Sequence, residues 1–241
     1  MEVGRRGIPR DVLKLLAMIA MAIDHAAVFF VRPGTAEYDL MRAVGRISYP
    51  IFAVLFAEGC AASRTPVRRR LLFLCAAGLA SEPFFDLMAG GSFFDAGGQC
   101  VMWSWALALV YLWAADAACA AFPGDQAPAR IMSLIGLSAV FCWASEAFSV
   151  DYGLLHGLCL SAWRLCAGPG SPSRRRVKIA ACAAVGIIAL ATPAAIAAVP
   201  PLLLEDRGGG GSFRLPRRAG HWFYPAHLAA YSAIALAAGF R

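Results

Sequence analysis

Asp24 and His25 stand side by side within the largely apolar run from Val12 to Val31, whose 20 residues match the length needed to cross a bilayer core of roughly 30 Å. Ionisable groups at such depth are costly to keep and mark a functional site by default, facing the bundle interior rather than lipid. An imidazole titrates near neutral pH, so proton transfer is the chemistry this pair supports. Adjacent helical residues project about 100° apart, so Asp24 is not expected to orient the His25 ring. That carboxylate is expected from Glu82 or Asp86 across a helix interface, leaving Asp24 to meet Arg46.

Other polar residues recur at the edges of apolar runs. Arg46 lies in Gly45-Arg46-Ile47-Ser48-Tyr49-Pro50, and Glu82 and Asp86 in Ser81-Glu82-Pro83-Phe84-Phe85-Asp86. Gln99, Trp103 and Ser104 open the next run; Asp151-Tyr152-Gly153 and His156 follow. His221 and Tyr224-Pro225-Ala226-His227 open the last. The plainer alternatives are kinked helices at the Tyr-Pro pairs, a structural ion pair at Arg46, and an ordinary loop at Asp151.

The elements that must position these groups are apolar spans. With 60% hydrophobic and 15% charged residues and a mean hydropathy of +0.63, the chain is far more apolar than a soluble domain. The expectation is an all-α integral membrane protein, one domain over residues 1–241, with no room for a separate soluble domain and no cleavable signal peptide. Eight spans are predicted at about 12–31, 40–62, 67–88, 101–121, 130–148, 153–167, 177–204 and 221–240, separated by Gly/Pro-rich turns. The sixth is the weakest, holding His156 and Arg164, and its alternative is a re-entrant segment.

Cytoplasmic loops carry the excess of Lys and Arg. Eight spans with both termini cytoplasmic put 15 of the 22 basic residues inside and 7 outside. The last outer loop, holding Arg207, Arg214, Arg217 and Arg218, fits worst. In this arrangement the unusual polar residues form an outward-facing chamber. Glu58, about 18 Å along its helix from Arg46, belongs instead to the cytoplasmic end beside Arg64, Arg68, Arg69 and Arg70, a cluster suited to topology or to the phosphates of an anionic ligand.

The net charge of +7 comes from short clusters beside apolar runs, which argues for lipid contact and topology and against nucleic-acid binding. The eight cysteines show no Cys-x-x-Cys and no metal-ligand spacing, so they read as small hydrophobes, with no metal and no disulfide framework expected.

Taken together, Leu13 to His25, Gly45 to Ala53 with Glu58-Gly59, Ser81 to Asp86, Asp151-Tyr152-Gly153 and Phe223 to His227 resemble, in order, the TraX family of conjugal-transfer membrane proteins implicated in N-acetylating pilin. The family is similar in turn to a wider group of transmembrane acyltransferases. The resemblance implies a bacterial inner-membrane enzyme that takes acetyl-CoA from the cytoplasm and acylates an amine or hydroxyl of an exported peptide, glycan or lipid acceptor. It implies His25 as base, with Asp24, Glu82 or Asp86 charge-balancing the site and Arg46, Tyr49 or Tyr152 as oxyanion donors. Arg68, Arg69, Arg70 and Glu58 are then expected at the cofactor, and Tyr49, Asp151, Tyr152, His156, Tyr224 and His227 at the acceptor, His227 being a second-choice base. Two departures bear on acceptor choice: Gln99-Cys100-Val101-Met102-Trp103-Ser104 replaces an expected Gln-Asn with aromatics and Thr, and Gly208 to Gly211 replaces an Asn-Gly turn. A small proton-coupled transporter and a non-catalytic export component are the alternatives, although no internal repeat favours the first.

Overall fold

A computed structural model describes residues 7–122, 126–165, 172–190, 193–206 and 213–239. The chain is an all-α bundle whose only sheet among the described residues is one short parallel pair. Five helical stretches are long and apolar enough to cross a membrane: Arg10–Phe30, Ala36–Ala62, Val67–Gly90, Val101–Ala121 and Ala127–Ala147. Their outer faces carry exposed Leu72, Leu79, Ile131, Met132, Val140 and Trp143, as expected of helices surrounded by lipid.

Helix α1 (Arg10–Phe30) starts after Pro9 and stops before Pro33. Thr35 caps α2 (Ala36–Gly45) by accepting the Tyr38 N–H at 3.2 Å. Helix α3 (Ser48–Ala62) follows after a break at Arg46 and Ile47. Pro50 accounts for the break: it offers no N–H to the Arg46 carbonyl and its ring crowds that turn. Ser48 Oγ donates to the Gly45 carbonyl at 2.7 Å, holding the bend. Helix α4 (Val67–Gly90) ends on left-handed Gly91 (φ +75°). Then come α5 (Val101–Ala121), α6 (Ala127–Ala147), the short α7 (Gly153–Leu165) and α8 (Pro172–Leu190).

The expected seventh span, 177–204, is not one helix. After α8 the chain forms a 3₁₀ turn (Pro193–Ala198) and a short α9 (Val199–Leu203), because Pro193, Pro200 and Pro201 cannot continue the ladder. The 3₁₀ turn packs on α2, α3 and α8. The chain then returns to the end of the bundle where α1 begins. There Glu205 of strand β2 (Glu205–Asp206) pairs in parallel with Ile8 of strand β1 (Ile8–Pro9). A partly buried ionic cluster fixes this basal end. Glu58 takes Arg10 and Arg175, each at 2.8 Å, and Glu205 bonds the same two arginines. Glu58 therefore ties α3 to α1 and α8, and Glu205 adds β2, instead of Glu58 joining Arg68, Arg69 and Arg70, as the sequence suggested.

The consequence reaches the last helix, α10 (Arg217–Ala238), which runs parallel to α1. Leu215, just before it, donates its N–H to Asp11 at 3.2 Å; His227 meets His25; Tyr231 packs on Phe29 and Phe30. The starts of α1 and α10 thus share the basal end, and Ala238 lies at the opposite, distal end. The eighth expected span therefore runs parallel to the first instead of antiparallel, which moves position 221 from the distal to the basal half.

At the distal end Gln99 bridges Val150, and Ser104 Oγ donates to the Asp151 carbonyl at 2.7 Å. The turn between α6 and α7 holds Ser149 (φ +48°) and Tyr152 (φ +66°) in left-handed conformations. Burial pushes the Asp151 carboxyl up to about 6, against the stabilising Tyr152 N–H and the Arg46 charge.

Two outcomes are expected of thermal unfolding in detergent. A Cβ at Gly45 would sit 2.2 Å from the Asp24 Cβ, so Gly45→Ala is destabilising by about 1–3 kcal/mol. Gly136→Ala, with nothing within 4 Å, is not. The folded Asp151 carboxyl keeps its proton to higher pH than an unfolded one, so the native state binds more protons between 3.8 and about 6 and stability falls as pH rises through that window. Asp151→Asn flattens this slope and is at least as stable as the parent at pH 8.

Candidate active site

A cavity of about 740 Å³ runs from the basal rim into the bundle between α1, α3, α4, α5 and α10. Its rim carries Asp11, Lys14, Ser63, Arg70 and Arg214. Apolar and aromatic side chains form the walls, among them Met18, Met21, Phe52, Leu74, Met102 and Trp105. The floor is polar, with Asp24, His25, Ser48, Tyr49, Asp151, Tyr152 and Tyr224. On α1 alone, rim and floor are separated by about 20 Å, the rise from Asp11 to Asp24.

Six residues expected at a shared site from the sequence do meet on this floor: Asp24, His25, Tyr49, Asp151, Tyr224 and Tyr152, whose ring stacks on Tyr49 at 4.3 Å. His25 is 8% exposed. Its Nδ1 lies 2.6 Å from Nε2 of His227, leaving Nε2 as the nitrogen for a substrate. His227 therefore stands behind His25, at the same depth, instead of nearer the exterior. The Tyr224 ring meets His25 edge-on at 5.9 Å between centroids, and its buried hydroxyl has no hydrogen-bond partner among the described residues.

Several expected roles move. Asp24 pairs with Arg42 at 2.5 Å, not with Arg46. One helical turn separates the two arginines, and the α2–α3 break turns Arg46 aside, although its charge is still felt at Asp151. Glu82 and Asp86 do not orient His25. Glu82 accepts the Trp103 indole N–H at 2.8 Å and the Cys100 N–H at 3.1 Å, serving the start of α5, while Asp86 accepts the Asp95 N–H at 3.0 Å. His156 is fully buried among Trp105 and Phe141 and bonds the Tyr49 hydroxyl at 2.9 Å, so it braces Tyr49 from behind. Arg68 and Arg69 are exposed, and only Arg70 of that cluster reaches the rim.

Sequence reasoning missed Arg42, Lys14 and Arg214 as site residues. Lys14 was legible as the cation one turn inside α1. Arg214 was not, because the direction of α10 depends on the proline-broken return at 193–203. Among the described residues no group of three or more His, Cys, Asp and Glu could hold a metal ion.

A basic rim, a long apolar channel and an imidazole at its end can admit an elongated molecule with an anionic head and deliver its far end to a base. The chain is 28% identical over 243 residues to the probable fimbrial assembly protein FimC, serogroup H1, of Dichelobacter nodosus, an alignment covering 90% of this chain and 91% of that protein. No solved structure matches it. The family model described as TraX protein matches residues 9–235, nearly the whole length, and the chain belongs to the TraX family.

Proposed function

We propose that this protein is an integral membrane acetyltransferase, moving an acetyl group from acetyl-CoA to an amine or hydroxyl of an exported acceptor: a pilin-like peptide N-terminus, a glycan or a lipid head group. The observation that carries the reading is the channel between Lys14, Arg70 and Arg214 at the rim and His25 at the floor. Coenzyme A has phosphates at one end and a thioester at the other, joined by a slender arm, and these three cations suit the phosphates. His25 Nε2 then takes the acceptor's proton as the acceptor attacks the thioester carbonyl. Tyr224, whose ring meets His25 and whose buried hydroxyl has only the Val101 N–H as a polar neighbour among the described residues, is the better-placed oxyanion donor than Arg46, Tyr49 or Tyr152. Asp24, charge-balanced by Arg42, lines the acceptor side of the floor. The name carried by the Dichelobacter protein fits an acceptor that is part of an assembled surface filament.

The same reading places the protein in the bacterial cytoplasmic membrane with the basal end inside. Among the described side chains only Arg32, Arg42 and Arg46 are distal cations, the others lying at or near the basal end. The loop that fitted the charge rule worst therefore joins the inside, since Arg214 is at the rim.

Purified protein in liposomes is expected to release coenzyme A from labelled acetyl-CoA. His25→Ala should lose about 10²–10⁴-fold in kcat. Tyr224→Phe should lose about 10²–10³-fold with KM little changed. Arg70→Gln and Arg214→Gln should each raise KM for acetyl-CoA roughly tenfold. Full turnover in His25→Ala removes that residue from catalysis, and no turnover with any acceptor overturns the enzyme reading. Single cysteines introduced at Thr65 and Leu215 of a cysteine-free variant should be labelled from the cytoplasmic side in cells, and one at Ser92 from the other. Labelling of positions 65 and 215 from opposite sides contradicts the proposed orientation.

A further inference from the structure

We propose that His227 is a positioning residue that fixes which nitrogen of His25 carries the proton, through a relay beginning at the Phe223 carbonyl. Its catalytic value rests on the acetyltransferase reading; its geometry does not. Phe223 and His227 lie four residues apart on α10, and His227 Nδ1 is 2.7 Å from the Phe223 carbonyl oxygen. A carbonyl can only accept, so Nδ1 of His227 bears the hydrogen. A neutral imidazole protonated at Nδ1 presents a lone pair at Nε2. That lone pair lies 2.6 Å from Nδ1 of His25, which must therefore be the donor. The remaining nitrogen of His25, Nε2, is left unprotonated and able to act as a base.

The rings support this assignment. Those of His25 and His227 are parallel to within 1°, with centroids 4.9 Å apart. Phe223 stacks on His227 at 4.7 Å, and Tyr224 and Tyr231 meet it edge-on at 5.7 and 5.8 Å, so the ring has little room to turn. The charged groups around the pair are Asp24 on α1, Arg42 on α2 and Arg46 at the α2–α3 break; the neighbours from α10 are uncharged. A neutral His227 satisfies both of its contacts, donating to the Phe223 carbonyl and accepting from His25. A protonated His227 would donate from Nε2, force the proton of His25 onto its own Nε2 and abolish the base.

In the reaction the acceptor's N–H or O–H proton passes to His25 Nε2 as the acceptor bonds the thioester carbonyl carbon. The C–S bond breaks, and the departing thiolate takes the proton back from His25 Nε2, giving acetylated acceptor and free coenzyme A. While His25 is an imidazolium, its Nδ1–H points at the His227 lone pair. The relay thus does what a carboxylate does for the histidine of a Ser-His-Asp triad, without a second buried negative charge.

The test uses full-length protein in nanodiscs with ¹⁵N-labelled histidine, the His25 signals being assigned by their loss in His25→Gln. His25 is expected as the Nδ1–H tautomer in the parent and in His227→Gln, whose side-chain oxygen can still accept. It is expected to shift to the Nε2–H form in His227→Phe. Coenzyme A release in liposomes should fall about 10²–10⁴-fold in kcat in His227→Phe, at unchanged KM, and stay within roughly tenfold of the parent in His227→Gln. A parent His25 protonated at Nε2, or a tautomer unmoved in His227→Phe, overturns the assignment. The expected tautomers with no coenzyme A release from the parent would overturn the enzyme reading and leave the assignment of His227 standing.

Discussion

The hydrogen bond between His25 and His227 imposes a condition on the whole chain: α1 and α10 must lie side by side at matching depth. They do so by running in the same direction, and two antiparallel-minded neighbours cannot be joined that way by a simple alternation of spans. The chain needs one extra reversal between them. It obtains this from the 3₁₀ turn and α9, where three prolines stop α8 from becoming a full-length continuation and send the backbone back to Glu205. The site and the topology are thus one fact: without the broken return, His227 would not reach His25.

The cavity is built by the same economy of defects. Pro50 breaks the α2–α3 crossing, which frees the turn at Arg46 and sets Tyr49 on the floor. Gly45 lets Asp24 come within what would be clashing distance of any side chain, so that Arg42 can close on its carboxylate. The left-handed turn at Ser149 and Tyr152 folds Tyr152 over Tyr49. Each of these is a local departure from regular helix placed beside the polar floor, and the regular parts of α1, α3, α4 and α5 supply the apolar walls. This division makes the cavity apolar along its length and polar only at its inner end.

Much of this was legible in the sequence. The apolar runs of α1, α4, α5 and α6 are long and clean, and Asp24-His25 inside the first of them is a signal that no core-packing demand explains. Tyr49, Asp151, Tyr152 and Tyr224 were likewise marked by their place at span edges. What the sequence did not disclose depends on pairings between distant segments. Glu58 looked like a neighbour of the arginines that follow it in the chain, yet its partners Arg10 and Arg175 come from the far ends of other helices. Glu82 and Asp86 were plausible partners for a histidine because carboxylates are, but each finds a nearer N–H in the α4–α5 connection. Arg42 and Arg46 differ by one turn, and only the kink after Gly45 decides between them. The run 177–204 is apolar enough to read as a single crossing, and its prolines were weaker signals than its hydropathy.

The ionic cluster at the basal end also orders events in time. Arg10 and Glu58 are made early, Arg175 much later, and Glu205 later still. Until Glu205 arrives, two guanidinium groups share one carboxylate in a partly buried setting, a poor balance for groups removed from water. The early helices can enter the bilayer one after another as the ribosome delivers them, but their shared end stays unfinished. The segment that neutralises it leads directly into Arg214 and α10, which complete the rim and bring in the second imidazole. Until α10 has been made, the chain accordingly has neither a finished cavity rim nor the His25–His227 pair, and the site cannot assemble piecemeal.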